Sequence, residues 1–115
     1  MSDCILYGIP NCDKVRAARR WLEQKGVPFR FHDLRQDGVD EALLHRWLDH
    51  VDLAELVNRR STTWRQLNET DRAAILDGDL TRLAQHPTLI KRPVLACGDR
   101  VWVGFDAARW EAELS

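Results

Sequence analysis

The first 31 residues constrain the fold most. Cys4-Ile5-Leu6-Tyr7-Gly8 is an apolar run ended by glycine, and residues 3–8 read as a strand. Gly8-Ile9-Pro10-Asn11 reads as a loop. Val15, Ala18 and Leu22 then recur at i, i+3 and i+7, the spacing of one helical face. Lys14, Arg16, Arg19, Arg20, Glu23, Gln24 and Lys25 supply the polar face, and Gly26 is a C-terminal stop, so a helix is expected over 13–25. Val27, Phe29 and Phe31 alternate with Pro28, Arg30 and His32, the pattern of a half-buried second strand. A strand–loop–helix–strand opening points to an α/β unit.

The middle third is a run of small helices. Arg35-Gln36-Asp37-Gly38 is a turn, and Asp40 can cap a helix whose buried face carries Leu43, Leu44, Trp47, Leu48 and Val51. Leu53, Leu56 and Val57 fit a further short helix. The polar stretch Asn58 to Thr63 breaks the periodicity, and Trp64 and Leu67 resume it. One helix is expected from Thr70 or Asp71 to Leu76 and another from Asp79 to Gln85, with His86-Pro87 as the close. Strands return at Val94 to Cys97 and Arg100 to Val103, flanking the hairpin signal Gly98-Asp99. Asp106 can cap a last helix bearing Ala107, Trp110 and Leu114. The order βαβ, helices, ββα is that of an α/β thioredoxin-like fold with a helical insertion at about 40–90. With 115 residues, one domain over 1–115 is expected.

Charge and hydropathy exclude several functions. Seventeen Lys and Arg face eighteen Asp and Glu, a net charge of −1. A general nucleic-acid binder shows a basic surplus, so no direct nucleic-acid partner is expected. No apolar run nears the roughly 20 residues of a membrane span. Met1-Ser2-Asp3-Cys4 lacks the basic and apolar regions of a secretory signal, so a cytoplasmic location is expected. The chain ends just after its last helix, so no tail for extra contacts is expected, and monomer is the default state.

Three cysteines are present, Cys4, Cys12 and Cys97. An odd count argues against a disulfide framework, and no C-x-x-C pair or Cys/His knuckle offers a metal site. Cys4 and Cys97 sit in apolar strand runs and are expected as buried packing thiols. Cys12 differs, because it lies at the strand–loop–helix junction. The unpartnered N–H groups of a helix start favour a thiolate over a thiol. Lys14 and Arg16 add positive charge, and Asp13 opposes it. From spacing alone Cys12 is either a reactive thiol or a residue occupying a cap. Pro93, ahead of the third strand, faces the thiol site in such a fold, as a cis or an ordinary trans proline. His32, His45, His50 and His86 have no partner at ligand or triad spacing and read as surface or partly packed side chains. The five tryptophans, spread over the elements, read as core.

Four segments then carry a resemblance: Tyr7-Gly8-Ile9-Pro10-Asn11-Cys12-Asp13, Thr62-Thr63-Trp64-Arg65-Gln66-Leu67, Ile90-Lys91-Arg92-Pro93 and Gly104-Phe105. Together, in order and over nearly the whole chain, they resemble the ArsC/Spx family, nearest its YffB-like branch of small glutathione-dependent thiol reductases. The resemblance implies that Cys12 is the nucleophile, that Pro93 is structural at the site, and that arginines hold an anionic substrate. Arg92 is the clear carry-over. Arg60 matches the arginine of the YffB and Spx branches. Arg59, Asn11 and Lys14 complete the expected anion-binding set. A guanidinium suits that role because its fork donates to two oxygens at once.

The chain departs from arsenate reductases at three places. Gly8 stands where they carry a histidine, and Asn58 and Gly104 stand where they carry arginines. Val15 replaces the second cysteine of the C-x-x-C redox switch in Spx regulators. The expected function is a glutathione-dependent monothiol reductase that binds no cofactor, takes glutathione as co-substrate and works with glutaredoxin. The alternatives are an arsenate reductase proper and a non-enzymatic Spx-like regulator that binds RNA polymerase.

Overall fold

The computed structural model describes residues 4–114. Met1 to Asp3, including the first residue of the strand expected over 3–8, lie outside them. The chain divides into two compact units. One combines the residues up to Asp33 with those from Arg92 onward, and the other is Leu34–Lys91.

The first unit holds strands β1 (Cys4–Gly8), β2 (Phe29–Asp33), β3 (Val94–Cys97) and β4 (Arg100–Val103), with helices α1 (Asp13–Gln24) and α7 (Ala107–Leu114). The sheet order is β2-β1-β3-β4. β1 runs parallel to β2 and antiparallel to β3, and β3 and β4 form an antiparallel hairpin. This βαβ plus ββα arrangement is the thioredoxin-like fold. One sheet face supplies Cys4, Leu6, Leu95, Cys97 and Trp102, and these pack with Ala18 and Leu22 of α1 and Trp110 of α7. The i, i+3, i+7 pattern thus places α1 as expected, with Val15, Ala18 and Leu22 all buried.

Strand two begins later than the alternation suggests, at Phe29 rather than Val27. Gly26 takes a left-handed φ of 68°, and the Val27 N–H donates back to the Leu22 carbonyl at 3.0 Å. That N–H closes the helix and so cannot enter the sheet, and Pro28 has none to offer. Val27 still packs on the core.

Cys4 and Cys97 are not packing thiols; they form a disulfide. They are direct partners in the β1–β3 register. Both are nearly inaccessible, at 4% and 7% exposure.

At the far edge, Trp102 Nε1 donates to Glu113 Oε1 at 2.9 Å, Arg109 Nε to Oε2 at 3.0 Å and Arg100 Nη2 to Oε1 at 3.3 Å. The Trp102 indole first, then Arg109, holds the Glu113 carboxyl below the usual carboxylate range. A depressed folded-state pKa means stabilisation present at neutral pH and lost as pH falls through that value. Urea unfolding of Glu113→Gln should show a lower midpoint than wild type at neutral pH and no difference in strong acid. An equal gap at both would exclude the charge as its cause.

The second unit holds α2 (Glu41–Leu48), α3 (Leu53–Leu56), α4 (Thr62–Gln66), α5 (Glu69–Leu76), α6 (Leu80–Gln85) and a 3₁₀ turn (Pro87–Leu89). Helix α6 packs on α2 and α5, and the 3₁₀ turn packs on α4 and α6. Asp40 caps α2 through the Leu43 N–H at 2.8 Å, as expected. Several boundaries differ: α2 stops at Leu48, short of Val51, and α3 stops at Leu56, short of Val57. Ser61 Oγ accepts from the Trp64 N–H at 3.1 Å, so α4 starts inside the polar stretch read as a break. Asn68 Oδ1 accepts from the Asp71 N–H at 2.8 Å, so α5 starts at Glu69, ahead of Thr70. In these last two cases a capping side chain outweighs weak local periodicity. Arg82 ties α5 to α6 by pairing with Asp71 and with Asp79, the latter at 2.9 Å. The Arg82 backbone N–H, then its guanidinium, holds the Asp79 carboxyl low.

Candidate functional site

The site begins where β1 ends. After Gly8 the chain turns through Ile9-Pro10-Asn11, and the Cys12 N–H donates to the Ile9 carbonyl at 3.1 Å. Cys12 is the N-cap of α1, extended at φ −89° and ψ 128°, and its carbonyl accepts from the Arg16 N–H at 3.0 Å. Its sulfur makes no capping bond. Cys12 is half-buried and is the one free thiol among the described residues. The cap position and the free thiol therefore coincide in one residue.

Charge around the thiol is mixed, with Asp13 set against the nearby cations. Arg16 pairs with Asp13, so the two largely cancel. Lys14 and Asn11 are exposed beside Cys12, which leaves Lys14 as the first-turn cation without an ion-pair partner among the described residues.

Pro93 lies at the same end of the sheet. Tyr7 pairs with Val94 across β1 and antiparallel β3. The residue before β3 therefore stands at the end from which β1 leads to Cys12. The Arg92–Pro93 peptide is cis, and Pro93 is buried. Arg92 is half-buried, with its Nε screened from solvent. Cys12, Asn11, Lys14, Arg92 and Pro93 all belong to the first unit, whereas Arg59 and Arg60 belong to the second. Tyr7 and His32, partners across β1 and β2, stack with ring centroids 4.8 Å apart. Sequence reading missed that contact, because only the parallel register brings the two together.

The three departures have local physical reasons. A Cβ built on Gly8 would meet the Val15 γ-carbons at 2.7 and 2.9 Å. Helix α1 thus lies too close to β1 for any side chain there, histidine included. Gly104 holds φ at 81° and donates its N–H to the Pro93 carbonyl at 2.7 Å. Left-handed backbone there favours glycine over arginine. Asn58 is spent on its own loop: its Oδ1 accepts from the Arg60 N–H at 3.2 Å and its carbonyl from Ser61 Oγ at 2.8 Å. The Gly8 contact is testable by urea unfolding. Gly8→Ala should lose about 1–3 kcal/mol by overpacking, and adding Val15→Ala should restore part of it. Full stability in Gly8→Ala would contradict the close approach.

Among the described residues no helix is long and apolar enough to cross a membrane, and no three His, Cys, Asp or Glu side chains gather as metal ligands would.

Comparison with known proteins adds a family. The ArsC family model matches residues 7–113. The global transcriptional regulator Spx of Bacillus subtilis is 33% identical over 106 residues, covering 88% of this chain and 79% of that protein. The solved structure of a protein named YFFB superposes with a TM-score of 0.87 at 37% identity, covering 97% of this chain and 99% of the other. An arsenate reductase (ArsC) related protein from Brucella melitensis gives 0.74 at 38% identity, covering 98% and 95%.

Proposed function

Because the chain belongs to the ArsC family, we propose that it is a thiol oxidoreductase in which Cys12 is the nucleophile and glutathione the co-substrate. One observation carries this reading. Cys12 is a free, half-exposed thiol at the start of α1, while Cys4 and Cys97 are bound to each other. Cys4 opens β1 and Cys12 follows its far end. At about 3.3 Å per residue the strand alone spans roughly 13 Å. The disulfide pair is therefore badly placed to resolve chemistry at Cys12, and Val15 fills the position one turn further along α1. An external thiol must complete the cycle.

The exchange balances without a bound cofactor. The Cys12 thiolate attacks one sulfur of a glutathione mixed disulfide. The substrate S–S bond breaks, a Cys12–glutathione disulfide forms, and the substrate sulfur leaves as thiolate. A second glutathione thiolate then attacks that disulfide, restoring Cys12 and leaving as glutathione disulfide. The Cys12 sulfur makes no capping bond and is left to react, with the Lys14 ammonium exposed two positions further on. Arg92 and Asn11, in the same unit as Cys12, hold the carboxylates of the glutathione moiety. Pro93 shapes the backbone beside it. We place the protein in the cytoplasm as a monomer, with glutaredoxin as its exchange partner. An oxyanion substrate gains less support, since Gly8, Asn58 and Gly104 are each committed to backbone or packing roles.

The test is intact mass after incubation with oxidised glutathione. One glutathione adduct is expected on the native protein, reversed by excess reduced glutathione and missing from Cys12→Ser. An adduct that survives in Cys12→Ser, or none at neutral pH, would remove Cys12 from its role. The likeness to Spx supports a second reading, a regulator that binds RNA polymerase without turnover. Co-purification of polymerase with Cys12→Ser as efficiently as with the native chain would favour it.

A further inference from the structure

The helical unit carries a cluster of positive charge built around one tryptophan. The eleven residues Asn58 to Leu67 and Asn68 contain Arg59, Arg60 and Arg65 and no acid. Arg72 joins them from α5. The Arg59 and Arg72 guanidiniums each lie 5.9 Å from the Trp64 ring centroid. Arg72 Nε donates to the Trp64 carbonyl at 3.0 Å and its Nη2 to the Arg65 carbonyl at 2.8 Å. Arg65 Nη2 reaches the Arg60 carbonyl at 3.4 Å. None of the four pairs with a carboxylate among the described residues, whereas Arg16, Arg82, Arg100 and Arg109 all do. On α5, Asp71 is taken by Arg82, and Glu69 is the remaining nearby acid. Arg59, Arg60 and Arg65 are exposed.

We propose that Arg59, Arg60 and Arg65, backed by Arg72 on Trp64, form a docking surface for an acidic segment of a partner protein. Ring contact restrains Arg59, a carbonyl bond restrains Arg65 and both restrain Arg72, so fewer rotamers are lost on binding there than for free surface arginines. Their distribution selects the partner's chemistry. Arg60 and Arg65 stand five positions apart across α4, and Arg72 spends its donors on carbonyls and lends mainly its field. Donors spread this way match successive carboxylates along a chain better than one compact anion. Nucleic acid fits less well, because Trp64 is only 8% exposed and offers no face for base stacking. The proposal goes beyond the thiol chemistry and does not depend on it.

Fluorescence anisotropy of a labelled eight-residue polyglutamate peptide tests this on the full chain, at about 150 mM salt, where longer-range fields are screened. Binding is expected, with Arg65→Glu about tenfold weaker, Arg65→Gln intermediate, and Arg20→Glu on α1 unchanged. Matching thermal melts for the Arg65 variants and wild type are expected, as Arg65 is exposed. No binding, equal loss in Arg20→Glu, displacement by millimolar inorganic phosphate, or tighter binding of an oligothymidine of equal length would each overturn it. The assay contains no disulfide reagent, so its failure leaves the role of Cys12 untouched.

Discussion

Reducing the Cys4–Cys97 disulfide should lower the stability of the protein by about 4–5 kcal/mol. The two residues lie 93 positions apart, and a cross-link over so long a loop removes much conformational freedom from the unfolded chain. In the chain-entropy treatment that gain grows with the logarithm of loop length. The bond joins the two central strands at a point where they already pair. It lies within the core cluster of Leu6, Leu95, Trp102 and Trp110. Folded protein should therefore resist mild reductant, since nearly no surface of either cysteine is open to attack. Urea unfolding with and without a phosphine reductant measures the difference. Alkylation of the unfolded chain should label one cysteine before reduction and three after. Three labelled cysteines before reduction, or coincident unfolding curves, would refute the bond as a stabiliser.

Trp110→Ala should cost about 3–5 kcal/mol. Trp110 is 1% exposed and is the buried residue that α7 contributes. It packs edge-on against Trp21 of α1, with centroids 5.7 Å apart, and against Phe105, at 4.9 Å. Edge-to-face pairs add to the burial itself. Removing the indole leaves a cavity between two helices and the sheet, which the β-strands cannot collapse to fill. Trp110→Phe should lose less, because one edge contact and much of the volume remain. A loss below about 1 kcal/mol in Trp110→Ala would show that α7 is not held by this residue. Because α7 also presents Glu113 to Trp102, detaching it should erase the pH-dependent contribution of that carboxylate.

The placement of α1, β3, β4 and α7 was legible because each is written in local pattern. Apolar residues at helical spacing, Gly98-Asp99 at a hairpin and Asp106 before an apolar stripe act within a few residues of themselves. The cap at Asp106 is seen directly, its carboxylate accepting from the Arg109 N–H at 3.1 Å. The short helices were legible in existence but not in their starts. Ser61 and Asn68 set those starts by one side-chain hydrogen bond each, a signal that periodicity does not contain.

The candidate site divides along the same line. Sequence alone determined that Cys12 sits between a strand and a helix, since the apolar run, the Gly-Ile-Pro-Asn loop and the α1 stripe are contiguous. It also marked Pro93 as the residue before the third strand. Only the tertiary structure decided what the other two cysteines do. Strand runs around Cys4 and Cys97 specify burial, but a bond between them depends on the β1–β3 register across 93 positions, which no local pattern encodes. The same holds for Gly8. Its sequence context marks the end of a strand, and only the distance from β1 to Val15 says that nothing larger fits. Short-range hydrogen bonding and hydrophobic period write the elements into the chain. Long-range packing, which sums contacts between residues far apart in sequence, decides which of their side chains meet.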